Sequence, residues 1–162
     1  MLLFLLYFLM PLNVLSDTDI IKVRTQYYLA IENEKEAKNL ESLLSGIHPK
    51  STTLVGYEGA SKMLLAKHAF LPTQKFSYFN KGKQILEESI AKEPQNIELI
   101  FLRYGIQTTC PSFLKYNQNL ERDRKMLIAE VKAIKDRDLK NRILTFLITK
   151  SNLSDAERSM IQ

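Results

Sequence analysis

The sequence predicts an all-α domain of stacked antiparallel helical hairpins with a C-terminal capping helix. Three observations predict it. From residue 17 onward, apolar residues recur at spacings of three and four, as they do on amphipathic helices. Only five Gly and five Pro punctuate 162 residues, too few for a chain of many short strands. Charged residues at 25% and apolar ones at 45% fit a folded chain of single-domain length rather than a disordered one.

The expected division is a signal peptide over residues 1–16 and one helical repeat-like domain over residues 17–162. Met1 to Ser16 carries no charge and is mostly Leu, Phe, Met and Tyr. An apolar core of about ten residues is followed by Pro11 and then Val14-Leu15-Ser16, which resembles a secretory signal cleaved after Ser16. The absence of Lys or Arg ahead of the core departs from that pattern, and a buried N-terminal helix is the alternative. The run breaks too early for a membrane span of about 20 residues, and no Cys follows it to carry a lipid. Export to the periplasm or beyond is expected, with no stable membrane anchor after cleavage.

Asp17 to Leu44 reads as a helical hairpin. Ile20, Ile21, Tyr27, Tyr28 and Ile31 mark one inner face, Ala37, Leu40, Leu43 and Leu44 the other, and Glu32-Asn33-Glu34 the turn, with a single long helix as the alternative. Gly46 and Pro49 stop it. Thr53 to Phe70 forms the next helix, and Pro72 is expected to break it. Gly56 and Gly59 inside that helix each cost up to ~1 kcal/mol against alanine. They point to close helix approach or, alternatively, to a surface kept open for a ligand.

Tyr78 to Gln107 is expected to organise the rest. Phe79, Gly82, Ile85, Leu86, Ser89 and Ile90 share one face, and Lys83 and Glu87 form an i,i+4 pair on the other. Pro94 ends this helix, and Asn96 caps the next one, Ile97 to about Thr109, which is apolar nearly all round and therefore expected to be buried. Phe113, Leu114 and Tyr116 in the following loop are expected to pack back on the helices. Asn117 is the expected cap of a long helix bearing Leu120, Leu127, Ile128, Val131 and Ile134. Asp136 or Asp138 starts another, and Ser154-x-x-Glu157 is a capping box for a short last helix.

Small Gly82, large Leu86, small Ser89 and Pro94 resemble the second helix of a tetratricopeptide repeat. A strict period of about 34 residues does not recur, so the chain is repeat-like rather than a consensus repeat protein. The segments Tyr78-Phe79-Asn80-Lys81-Gly82 and Pro111-Ser112-Phe113-Leu114-Lys115-Tyr116-Asn117, within residues 57 to about 125, are similar to a group of uncharacterised exported bacterial helical proteins. The resemblance implies a small helical domain with a signal peptide and brings no activity with it.

No motif specifies chemistry. One cysteine, Cys110, excludes an internal disulfide, and with two isolated histidines makes a structural zinc site an unfavoured reading, so neither metal nor cofactor is expected. Residues 115–150 hold ten Lys or Arg against five Asp or Glu, while the rest of the chain is neutral. Acid-first pairs Glu121–Lys125, Asp136–Lys140 and Asp138–Arg142 favour a solvated helix face over a nucleic-acid surface, and aromatics are not interleaved with the charges. A basic surface for an anionic envelope component is the alternative.

Candidate binding residues are Tyr57, His68, Arg103, Gln107, Tyr116 and Asn117. Arg103 and Gln107 project from one strip of an otherwise apolar helix, and a charge there must find a partner: Glu98, Glu58 or loop carbonyls for a structural role, a ligand's carboxylate or phosphate for a functional one. The expected function is a non-catalytic module binding a protein or peptide on a concave helical surface, with no nucleic acid. The alternative is a small-ligand or hydrolytic site near His68 and Arg103. Oligomeric state is not legible.

Overall fold

The computed structural model describes residues 17–48 and 50–161. The expected signal segment, residues 1–16, lies outside them. The described residues form eight α-helices and two short 3-10 turns, with no strand among them.

Helix α1 (Asp17–Glu32) and α2 (Glu34–Ser45) are joined at Asn33, whose side chain accepts from the amides of Lys35 and Glu36. The predicted turn is thus a one-residue joint and N-cap. Gln26 donates to both the backbone and the side chain of Glu36, pinning the two helices antiparallel. Ser51 caps α3 (Thr52–His68), and Asn96 caps α5 (Ile97–Thr109) through the amides of Glu98 and Leu99.

The tightest pairing is α3 against α4 (Pro72–Lys92), closer than that of α4 with α5, the hairpin expected around Pro94. Its cause is a glycine crossing. A Cβ placed on Gly59 would lie 2.6 Å from the Gly82 carbonyl oxygen, and one on Gly82 would meet the Gly59 carbonyl oxygen and the Met63 amide nitrogen, the latter at 2.9 Å. Close approach, not an open surface, accounts for Gly59, and Gly56 likewise faces the Leu99 side chain. Helix α3 ends at His68, ahead of the break expected at Pro72. Pro72 is the first residue of α4, where its missing N–H goes unused, so α4 starts six residues before Tyr78.

Beyond α5, Ser112–Leu114 make a 3-10 turn closed by Lys115 at φ 47°. Helix α6 (Leu120–Glu130) follows Asn119 and not Asn117, and ends in a second 3-10 turn, Val131–Ala133. Asp136 caps α7 (Arg137–Lys150) through the Leu139 amide. The predicted capping box forms at α8 (Asp155–Ile161): Ser154 N–H donates to Glu157 and the Glu157 N–H to Ser154 Oγ.

One core runs through all of these helices, from Val23 and Ala30 through Leu40, Leu86 and Leu99 to Leu127, Ile143 and Leu147. Two buried arginines stitch it. Arg24, 2% exposed, donates from Nε and Nη2 to the Glu98 carboxylate at 2.7 and 2.8 Å and meets Asp136 and Asp138 with Nη1. Arg103 forks onto Asp123 and reaches Glu87 at 2.8 Å. The first joins α1 to α5 and α7; the second joins α4, α5 and α6.

Candidate functional site

An apolar groove of about 770 Å³ opens between the helices. Its walls come from five helices. Tyr27, Tyr28 and Ile31 contribute from α1, Tyr57, Ala60, Met63 and Leu64 from α3, and Phe76 and Phe79 from the start of α4. Phe101, Gly105 and Ile106 line it from α5, Phe146 from α7, and Phe113 from the turn after α5.

Local sequence explains why the groove is open. Helix α5 is apolar nearly all round, but only part of it is covered: Leu99, Ile100 and Leu102 are packed by neighbours, while Gly105 and Ile106 are left half-exposed. Gly105 presents no side chain, and a Cβ there would touch only the Phe146 ring at 3.8 Å. Phe146 stacks edge-on against both Phe101 and Tyr104, which fixes the far wall. At the rim, the ring of Phe113 is 70% exposed and that of Phe76 51%. The predicted packing of the 113–116 loop therefore holds for Tyr116 and Leu114 and fails for Phe113.

Polar groups are few. Tyr57 turns its hydroxyl away to donate to Glu98 Oε1 at 2.9 Å, and burial together with that carboxylate pushes its phenol well above the ordinary range. Lys67 pairs with Glu32 at 3.1 Å, and Lys75, also in the lining, stands exposed. Cys110, half-buried at the end of α5, has its thiol pushed up by burial, which makes it a weak nucleophile.

Of the six residues singled out from sequence, only Tyr57 lines this groove. His68 ends α3 and donates from Nε2 to the Ala30 carbonyl at 2.9 Å, tying α3 to α1. Arg103 is engaged by Asp123 and Glu87, and neither expected acid is its partner: Glu98 is held by Arg24 and Glu58 by Lys50. Tyr116 donates to the other oxygen of Glu87, with Lys83 over its ring at 5.0 Å, so the predicted Lys83–Glu87 pair gives way to this cluster. Gln107 is buried with neither amide atom hydrogen-bonded among the described residues. Asn117 is exposed. The structure thus brings Arg103 and Tyr116 together around Glu87 and keeps His68 with a different set of partners.

Of the basic segment's three pairs, Glu121–Lys125 and Asp138–Arg142 form. Asp136 instead serves Arg24 and the cap of α7, while Lys140 donates to the Lys132 carbonyl. No group of three or more metal-ligating side chains converges among the described residues. None of the described helices is long and apolar enough to cross a membrane.

Sequence reasoning missed the groove because its lining is spread over five helices, each with a face that reads as core, and the turn after α5. The available signal was Gly105 on an otherwise bulky helix, next to two aromatic loop residues. No family model matches the chain, and neither a curated protein nor a solved structure does.

Proposed function

We propose that the chain is an exported, non-catalytic interaction module, its hairpins stacked in a tetratricopeptide-like way, that receives an apolar segment of a partner protein in the groove. The groove itself carries the reading: about 770 Å³, walled by aromatic rings, with Phe76 and Phe113 left exposed at its edge. Aromatic rings at the edge of a concave apolar surface are what protein docking sites offer, since they bury large area at little entropic cost. Binding is favoured over catalysis because the buried charged groups are saturated: Arg24 and Arg103 each face two or more carboxylates, and His68 is spent on a backbone carbonyl. The glycine crossing of α3 and α4 supports the repeat-like stacking, and the apolar core ahead of Val14-Leu15-Ser16 supports export.

Panning a displayed random-peptide library on the purified protein tests this reading. Enriched peptides should share an apolar pattern and lose binding to Gly105→Trp, which fills the groove. Peptides that bind parent and Gly105→Trp equally, or no enrichment at all, would remove it.

A further inference from the structure

We infer that the groove's occupant is an amphipathic helix bearing acidic residues beside its apolar face, placed against Lys75 and the start of α4. This rests on the groove-binding reading above and adds the conformation and charge of the partner segment. Shape supplies the first argument. Exposed rings stand at the groove's edge from two separate elements, Phe76 on α4 and Phe113 after α5. A helix laid between them seats side chains at i, i+3, i+4 and i+7 in the groove and covers both rings with its shoulders. A single acyl chain would fill the bottom and leave those rings in water.

Charge supplies the second argument. Glu32 is the one acid among the described lining residues, and Lys67 already engages it at 3.1 Å. Among the described lining residues, the charge left without an ion-pair partner is positive. Lys75 is exposed in that lining, and α4 begins there with Pro72, with no side-chain cap and no acid in its first turn. Free amides and the helix dipole add to the lysine's charge at that end. Phe70 and Leu71 are exposed just ahead of Pro72 in the chain. An incoming helix therefore finds an apolar trough with a cationic lip, and a partner of matching polarity is selected by an acidic flank.

The test uses three labelled peptides with one amphipathic helical core and flanks of Glu, Gln or Lys, titrated by fluorescence anisotropy at low and high salt. The Glu-flanked peptide should bind about three- to tenfold tighter than the Gln-flanked one, with the Lys-flanked one weakest and the differences shrinking in high salt. Lys75→Glu, an exposed position, should reverse the order. Gly105→Trp, and independently Phe113→Asp at the edge, should weaken all three. Equal affinity of the three peptides, still lost in Gly105→Trp, would overturn the charged-helix inference while leaving the groove reading intact. Binding unaffected by either blocking variant would overturn both. A protein that binds oleate in competition with a groove probe, and none of the peptides, would overturn the inference in favour of a lipid ligand.

Discussion

Arg103 on α5 and Asp123 on α6 are joined by two parallel hydrogen bonds, Nε to Oδ2 at 2.7 Å and Nη2 to Oδ1 at 2.8 Å, with the Asp123 side chain wholly buried. Removing the guanidinium strands a carboxylate where water does not reach. Arg103→Ala should cost about 3–5 kcal/mol in urea unfolding. Arg103→Lys should recover only part of that, because an ammonium cannot span the fork. A loss below ~0.5 kcal/mol for the alanine variant would return Arg103 to the list of ligand-facing residues.

Gly82 faces backbone, and backbone cannot yield as a side chain does. Its substitution by alanine already drives a methyl onto the Gly59 carbonyl and the Met63 amide, so Gly82→Ala should destabilise by about 1–3 kcal/mol and Gly82→Leu by more. Gly105→Ala is the matched control. Its Cβ makes ordinary contact with Phe146, and the variant should be neutral or more stable by up to ~1 kcal/mol from helix propensity. Thermal or urea melts of the pair should diverge in sign or size; indistinguishable midpoints would mean that α3 and α4 do not cross there.

Three phenols, Tyr27, Tyr57 and Tyr116, are held above their ordinary range, in each case first by burial, with Glu98 adding to it at Tyr57 and Glu87 at Tyr116. A group raised on folding contributes its full share below the unfolded value and loses it as pH climbs toward the folded one. Stability should therefore hold up to pH ~10 and fall beyond it, as the unfolded chain releases protons that the native state keeps. Absorbance of tyrosinate followed against pH should show these rings ionising only together with loss of helix by circular dichroism. Early, reversible ionisation of all the tyrosines in the folded protein would contradict the burial described.

Gln107 is a buried amide with no hydrogen-bond partner among the described residues. Replacing it by methionine, of similar length, removes an unpaid desolvation cost and should stabilise the protein by about 1 kcal/mol, whereas Gln107→Ala should lose packing. Both changes should be smaller than that at Arg103. Denaturant midpoints decide it, and a destabilised methionine variant would show that the amide has a partner after all.

The helices were legible because their signals are local. Asn96 and Ser154 announce caps, Glu32-Asn33-Glu34 announces a turn, Gly59 and Gly82 announce a close crossing, and the spacing of Leu127, Ile128 and Val131 announces an inner face. Which helices pair was less so: α4 reads as half of a hairpin with α5 through Pro94, yet the glycines bind it more tightly to α3. Ion-pair partners were the least legible. Arg103 finds Asp123 twenty residues on, and Arg24, an unremarked residue in α1, finds Glu98 and Asp138 at separations of 74 and 114. Such choices depend on how helices sit in space, and no spacing rule within one helix encodes them. The groove shares that difficulty, since an apolar wall and a core face have the same sequence.

The reach of Arg24 has a consequence for how the chain comes apart. In a linear array, each unit touches only its neighbours, and the ends can peel away one unit at a time. Here the first helix is clasped by the fifth and the seventh through one guanidinium, and Arg142 lies over the Tyr28 ring at 4.7 Å beside it. Peeling α1 away would strand the buried Glu98 carboxylate, so the opening hairpin is not free to leave alone. During synthesis the same clasp stays open until α7 has left the ribosome, and the opening hairpin waits for residues more than a hundred positions downstream before it is finished.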